Sequence, residues 1–125
     1  MRNEKGLTFA ELIVTTFLLV TAIVGTLLFF TYSLAATQYA RDLTIATSHG
    51  DRLFEEMQLR GTLSNIVKTD WTKWSASQPG DKLPGETVNV VYANAVAVPL
   101  EIAADVRWTR KSGEYRETFV TRMKK

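Results

Sequence analysis

The sequence predicts an α+β chain in which a long N-terminal helix, apolar in its first half and amphipathic in its second, packs on a small antiparallel sheet of about three strands. Three observations predict it. Residues 12 to 40 contain no charged side chain, no proline interrupts residues 7 to 60, and the C-terminal third alternates with a period of two around a glycine-containing turn.

The helix is read first. Up to Phe30 the charge-free stretch is dominated by Leu, Val, Ile, Phe and Ala, and it exceeds the ~20 apolar residues that span a hydrocarbon core. Beyond it, Leu34, Leu43, Ala46, Leu53 and Met57 continue at steps of three and four among Arg41, Asp42, His49, Asp51, Arg52, Glu55 and Glu56, which is the pattern of an amphipathic helix. Gly61 then punctuates the chain. One helix from Leu7 to Arg60 is expected, ~80 Å long at the α-helical rise, with Gly25 and Gly50 as the places where it can bend. A helix that is hydrophobic all round cannot be covered by so small a soluble domain, so its first half is assigned to a bilayer.

Residues 61 to 87 are dense in breakers: Gly61, Ser64, Asn65, Ser75, Ser77, Pro79, Gly80, Asp81, Pro84 and Gly85. Loop and turns are expected there, with little regular structure. Val88 to Ala93 reads as a strand. Leu100 to Thr109 sets Ile102, Ala104, Val106 and Trp108 against Glu101, Ala103, Asp105 and Arg107, and Glu114 to Met123 follows across Arg110-Lys111-Ser112-Gly113, the signature of a hairpin. The Val106 and Trp108 face is expected to lie on the amphipathic half of the helix as a two-layer α+β unit.

Composition narrows the function. The chain has 125 residues and a formal charge of +2, a balance that favours neither nucleic acid nor an acidic ligand. Cysteine is absent, which excludes disulfides, thiol catalysis and thiolate metal sites. His49 is the only histidine, so no multi-histidine metal site can be built, and a solvated helix face is expected for it. No phosphate loop, nucleophile elbow or zinc motif occurs. Asp81 and Glu86 stand apart with turn residues between them, so no calcium site, no other metal and no cofactor is expected, and catalysis is not. Asp70-Trp71-Thr72-Lys73-Trp74 places two tryptophans in the breaker-rich segment, either as a stacking platform for a ligand or as core plugs. Thr21 and Gly25 stand in a small-xxx-small relation that lets helices approach closely; threonines bonded to their own backbone are the alternative.

The junction ahead of the apolar run carries the functional signal. Arg2 and Lys5 lie just before the helix, and short basic flanks stay cytoplasmic. The leader ends Glu4-Lys5-Gly6 and runs into Leu7-Thr8-Phe9-Ala10-Glu11. An ordinary secretory signal cleaved near Ser33-Leu34-Ala35 fits less well, because such apolar regions run ~7 to 15 residues. An uncleaved anchor with Glu11 held by the helix dipole is the other plain reading.

In wording and order this junction resembles the class III signal peptide of type IV pilins and of type II secretion pseudopilins, over residues 4 to 30. The resemblance implies cleavage by a prepilin peptidase between Gly6 and Leu7, and methylation of the new amine on Leu7. Glu11 becomes the fifth residue of the mature chain. With Thr8 in the same motif, it is assigned to assembly by contacting the terminal amine of a neighbouring subunit. The implied organisation is a leader over residues 1–6, a membrane half of the helix over 7–33, an amphipathic half over 34–60 and a small periplasmic β domain over 61–125. Removing the leader takes Arg2 and Lys5 against Glu4 and leaves a side-chain charge of +1.

The partners so implied are the peptidase, other pilin or pseudopilin subunits, an inner-membrane assembly platform and the lipid bilayer, with no direct contact to nucleic acid. The N-terminus is placed in the cytoplasm and the C-terminal domain outside the inner membrane. A small domain without cysteine fits a minor pilin or pseudopilin better than a major pilin, and Glu11 argues against the tip-capping pseudopilin type. One departure is that many major pilins bend the helix with a proline where this chain has Thr26-Leu27-Leu28-Phe29-Phe30.

Overall fold

The computed structural model describes Gly6 and residues 8–124. Its elements are α1 (Phe9–Leu59), α2 (Leu63–Lys68), α3 (Trp71–Ser77), β1 (Thr87–Tyr92), β2 (Leu100–Arg110) and β3 (Gly113–Met123). The chain divides into two units, Met1–Tyr39 and Ala40–Lys125, and α1 contributes to both.

Among the described residues of the first unit, α1 is the one element. Its apolar window has no buried residue and is long and apolar enough to cross a membrane once. Phe17, Phe29, Phe30 and a series of Leu, Ile and Val side chains are exposed along it. The threonines decide whether such a helix suits lipid, because an unpaired hydroxyl is costly there. Thr15, Thr16, Thr21, Thr26 and Thr37 each donate to the carbonyl four residues back, at 2.7 to 2.9 Å, and Thr31 donates to Leu28 O at 2.8 Å. Each of these hydroxyl donors is therefore satisfied within its own helix.

The second unit is a helix laid on a three-stranded sheet. The sheet has order β1-β2-β3, antiparallel throughout. Register runs from Thr87 opposite Arg107 to Tyr92 opposite Ile102, and from Leu100 opposite Met123 to Arg110 opposite Gly113. Because strand side chains alternate between faces, Ile102, Ala104, Val106 and Trp108 form one face, and all four are buried. Ala46, Leu53 and Met57 of α1 join them in a single core with Val88, Leu100 and Met123. The expected α+β layout and its buried Val106 and Trp108 face are thus present.

Helix and sheet approach closely at Gly50. A Cβ built there would lie 2.9 Å from Cδ2 of Phe119. This glycine makes room for an aromatic ring of β3. The β2–β3 hairpin closes across Lys111 and Ser112 with no positive φ outside glycine, and Gly113 at φ 139° takes the conformation an L-residue resists.

The segment before the sheet corrects an expectation. Residues 61 to 77 form two short helices, α2 and α3, rather than loop. Breaker counting missed the apolar spacing of Leu63, Ile66 and Val67, and missed Asp70 as an N-cap whose carboxylate accepts the Lys73 N–H at 3.1 Å. The longest irregular stretch runs from Gln78 to Glu86, where Leu83 is buried and Thr109 N donates to Pro84 O at 2.8 Å. Helix α3 lies along β1, and the Thr72 hydroxyl donates to Val88 O at 3.0 Å.

Candidate functional site

The candidate site is the start of α1, where the sequence concentrates its signal. Helices begin with backbone N–H groups that lack an intrahelical partner. Here Thr8 Oγ1 accepts the Glu11 N–H at 3.3 Å, and Glu11 Oε2 accepts the Thr8 N–H at 3.4 Å. This reciprocal pair is a capping box, whose spacing is Thr or Ser followed three residues later by Glu or Gln. The spacing stands in the sequence as Thr8-Phe9-Ala10-Glu11. The carboxylate sits in the first turn, where the dipole favours an anion.

The two expected assembly residues, Thr8 and Glu11, are thus brought together and both are exposed. Gly6 is exposed, with open space around it. Leu7, the expected first residue after cleavage and the expected methylation point, lies outside the described residues. Thr21 and Gly25 lie one turn apart on α1; the Thr21 hydroxyl is engaged by Phe17 O at 2.9 Å, and the space beside Gly25 is open.

Three polar features of the second unit were not legible as sites. Asp42 is buried on α1 and receives two hydrogen bonds from Arg110, 2.9 Å from Nε and 2.7 Å from Nη2. This bidentate pair holds the Asp42 carboxyl below its ordinary range, against the opposing effect of burial. The Trp108 indole N–H adds to that lowering, although its geometry falls short of a hydrogen bond. Asp105 lies on the outer sheet face yet is buried beneath its neighbours, with its carboxyl lowered first by the Thr118 hydroxyl and then by Arg116.

His49 departs from its expected solvated face. Its Nδ1 lies 2.8 Å from Glu86 Oε1, whose other oxygen accepts the Leu83 N–H at 2.9 Å. The pair ties the irregular segment to α1. Of the two tryptophans, Trp71 is a core plug: it is buried, its N–H donates to Ile66 O at 2.8 Å, and Arg60 lies over its ring. Trp74 meets it edge to face at 5.7 Å and is half-buried. These two rings therefore do not form an open stacking platform.

With this geometry in place, comparison with known proteins finds that no family model, no curated protein and no solved structure matches the chain.

Proposed function

We propose that the protein is a minor pilin or pseudopilin: a single-pass inner-membrane subunit of a type IV pilus-like or type II secretion filament. A prepilin peptidase cleaves it after Gly6, and it assembles through its N-terminal helix. One observation carries the reading: the ordered junction from Glu4 to Glu11, set directly against a charge-free apolar helix. Two structural facts support it. The apolar half of α1 exposes its side chains over a length sufficient for a bilayer while its threonines satisfy their own hydroxyls. The Glu11 carboxylate accepts the Thr8 N–H at the start of the helix, beside its unpaired backbone nitrogens.

In this reading the N-terminus before cleavage is cytoplasmic and the sheet-bearing unit lies outside the inner membrane. The protein works by assembly rather than by catalysis. A second reading is favoured by the capping box itself. If Thr8 and Glu11 serve only to start the helix, the chain is an uncleaved membrane anchor with a periplasmic partner-binding domain.

The N-terminal sequence and mass of the protein from its native membrane, with and without active prepilin peptidase, separate the two. A peptidase-dependent start at Leu7, bearing a methyl group, is the expected outcome. An intact Met1 in both cases rejects the filament reading.

A further inference from the structure

The second unit carries a groove of about 320 Å3 beside the last turn of α1. Its floor is apolar, made by Met57, Leu63, Ile66 and Met123, and Arg122 and Lys124 stand at its rim. Lys124 is exposed and, among the described residues, makes no ion pair. Arg122 bonds Glu101 across the strands at 2.9 Å while its side chain stays 71% exposed.

A complementary surface lies elsewhere on the same unit. Thr47, Asp51, Glu55 and Leu59 follow one another at four-residue steps on α1, so they form one stripe, and all four are exposed. Asp51 and Glu55 also make no ion pair among the described residues. Leu59, one turn beyond Glu55, is 80% exposed. The stripe therefore presents two free carboxylates and then an apolar knob. The groove presents an apolar floor and a basic rim.

We propose that the groove of one molecule receives the Asp51–Glu55–Leu59 stripe of a second copy of this chain, with Leu59 on the apolar floor and the two carboxylates against Lys124 and Arg122. Groove and stripe are different surfaces, so the contact is heterologous, and repetition builds a ring or an open row of copies rather than a two-fold pair. Each copy brings one basic and one acidic surface, a match that selects orientation more than it adds affinity. The inference rests on these two surfaces alone and goes beyond the N-terminal processing proposed above.

The absence of cysteine makes a direct test clean. Two differently tagged full-length copies, one Lys124→Cys and the other Glu55→Cys, are co-expressed and oxidised in native membranes. A disulfide dimer carrying both tags, well in excess of dimers carrying one tag twice, is the expected result. Adding Glu55→Lys to a native copy should lower co-purification of the second copy about three- to fivefold, the scale of an exposed charge pair. Lys124→Glu in the partner should restore it. Same-tag dimers in equal amount, cross-links that go to a different protein or to none, or a charge swap that fails to restore association would each overturn the contact. A Leu7 start measured on the same samples reports separately on the filament reading.

Discussion

At the scale of single residues, Glu11 has two separable roles. Glutamine at the third helical position can still close a capping box, whereas alanine cannot. If assembly requires the carboxylate charge, Glu11→Gln and Glu11→Ala should both leave cleavage intact and both abolish entry into filaments. A Glu11→Gln protein that assembles normally while Glu11→Ala does not would reduce the residue to a helix cap. Gly50 and Asp42 make simpler cases. Gly50→Ala gains helix propensity of about 1 kcal/mol but forces a methyl group to 2.9 Å from the Phe119 ring, an overpacking cost of about 1 to 3 kcal/mol. A net destabilisation of about 1 kcal/mol is expected in urea unfolding followed by tryptophan fluorescence, and adding Phe119→Leu should recover most of it. Asp42→Ala strips a buried carboxylate from a bidentate arginine, and about 2 to 3 kcal/mol should be lost, since hydrogen bonds to charged groups fall in that range.

At the scale of elements, the hairpin depends on one glycine. Gly113 holds φ 139° with open space beside it, so alanine there meets no clash and pays only conformational strain. Gly113→Ala is expected to destabilise the sheet by about 1 kcal/mol, while Lys111→Ala in the same turn should be near neutral. Equal effects of the two would place the turn's requirement elsewhere. The helices α2 and α3 show how elements escape a sequence reading. Each is shorter than two full turns, too short to persist alone. They exist because Ile66 and Trp71 are buried in the core and because Ile66 O accepts bonds from both the Trp71 N–H and the Tyr92 hydroxyl. Such contacts have no local signature.

At the scale of the whole molecule, two lowered carboxyls set the response to acid. Asp42 and Asp105 both titrate below their ordinary range in the folded chain, the first chiefly through Arg110 and the second chiefly through Thr118 and Arg116. A folded pKa below the unfolded one adds stability that is full above the ordinary carboxylate range, near ~3.9, and is lost as pH falls through the folded value. Urea midpoints of the full chain in detergent should therefore hold from pH 7 to about pH 5 and drop by pH 3. Asp42→Asn and Asp105→Asn should each flatten that drop. The three tryptophans, Trp71, Trp74 and Trp108, all lie in the second unit, so their fluorescence reports on that unit. An unchanged midpoint at pH 3 would contradict the assignment.

The sequence by itself determined the long helix, its apolar first half, the three strands and the hairpin between Arg110 and Gly113, since hydrophobic period, charge and breakers are local properties. It also determined the junction from Glu4 to Glu11, on which the proposed function rests, and the capping spacing of Thr8 and Glu11 was written there as well. Only the tertiary structure decided what met across the chain. Gly50 faces Phe119, Asp42 faces Arg110, His49 is joined to Glu86, and Asp105 is buried on a face that alternation marks as outward. These pairs lie 37 or more residues apart where helix meets sheet or loop, and which partners meet depends on the register and packing of the sheet on α1. The groove with its basic rim likewise exists only once the end of α1, helix α2 and the end of β3 are packed together, because no single segment of the chain carries both its floor and its charge.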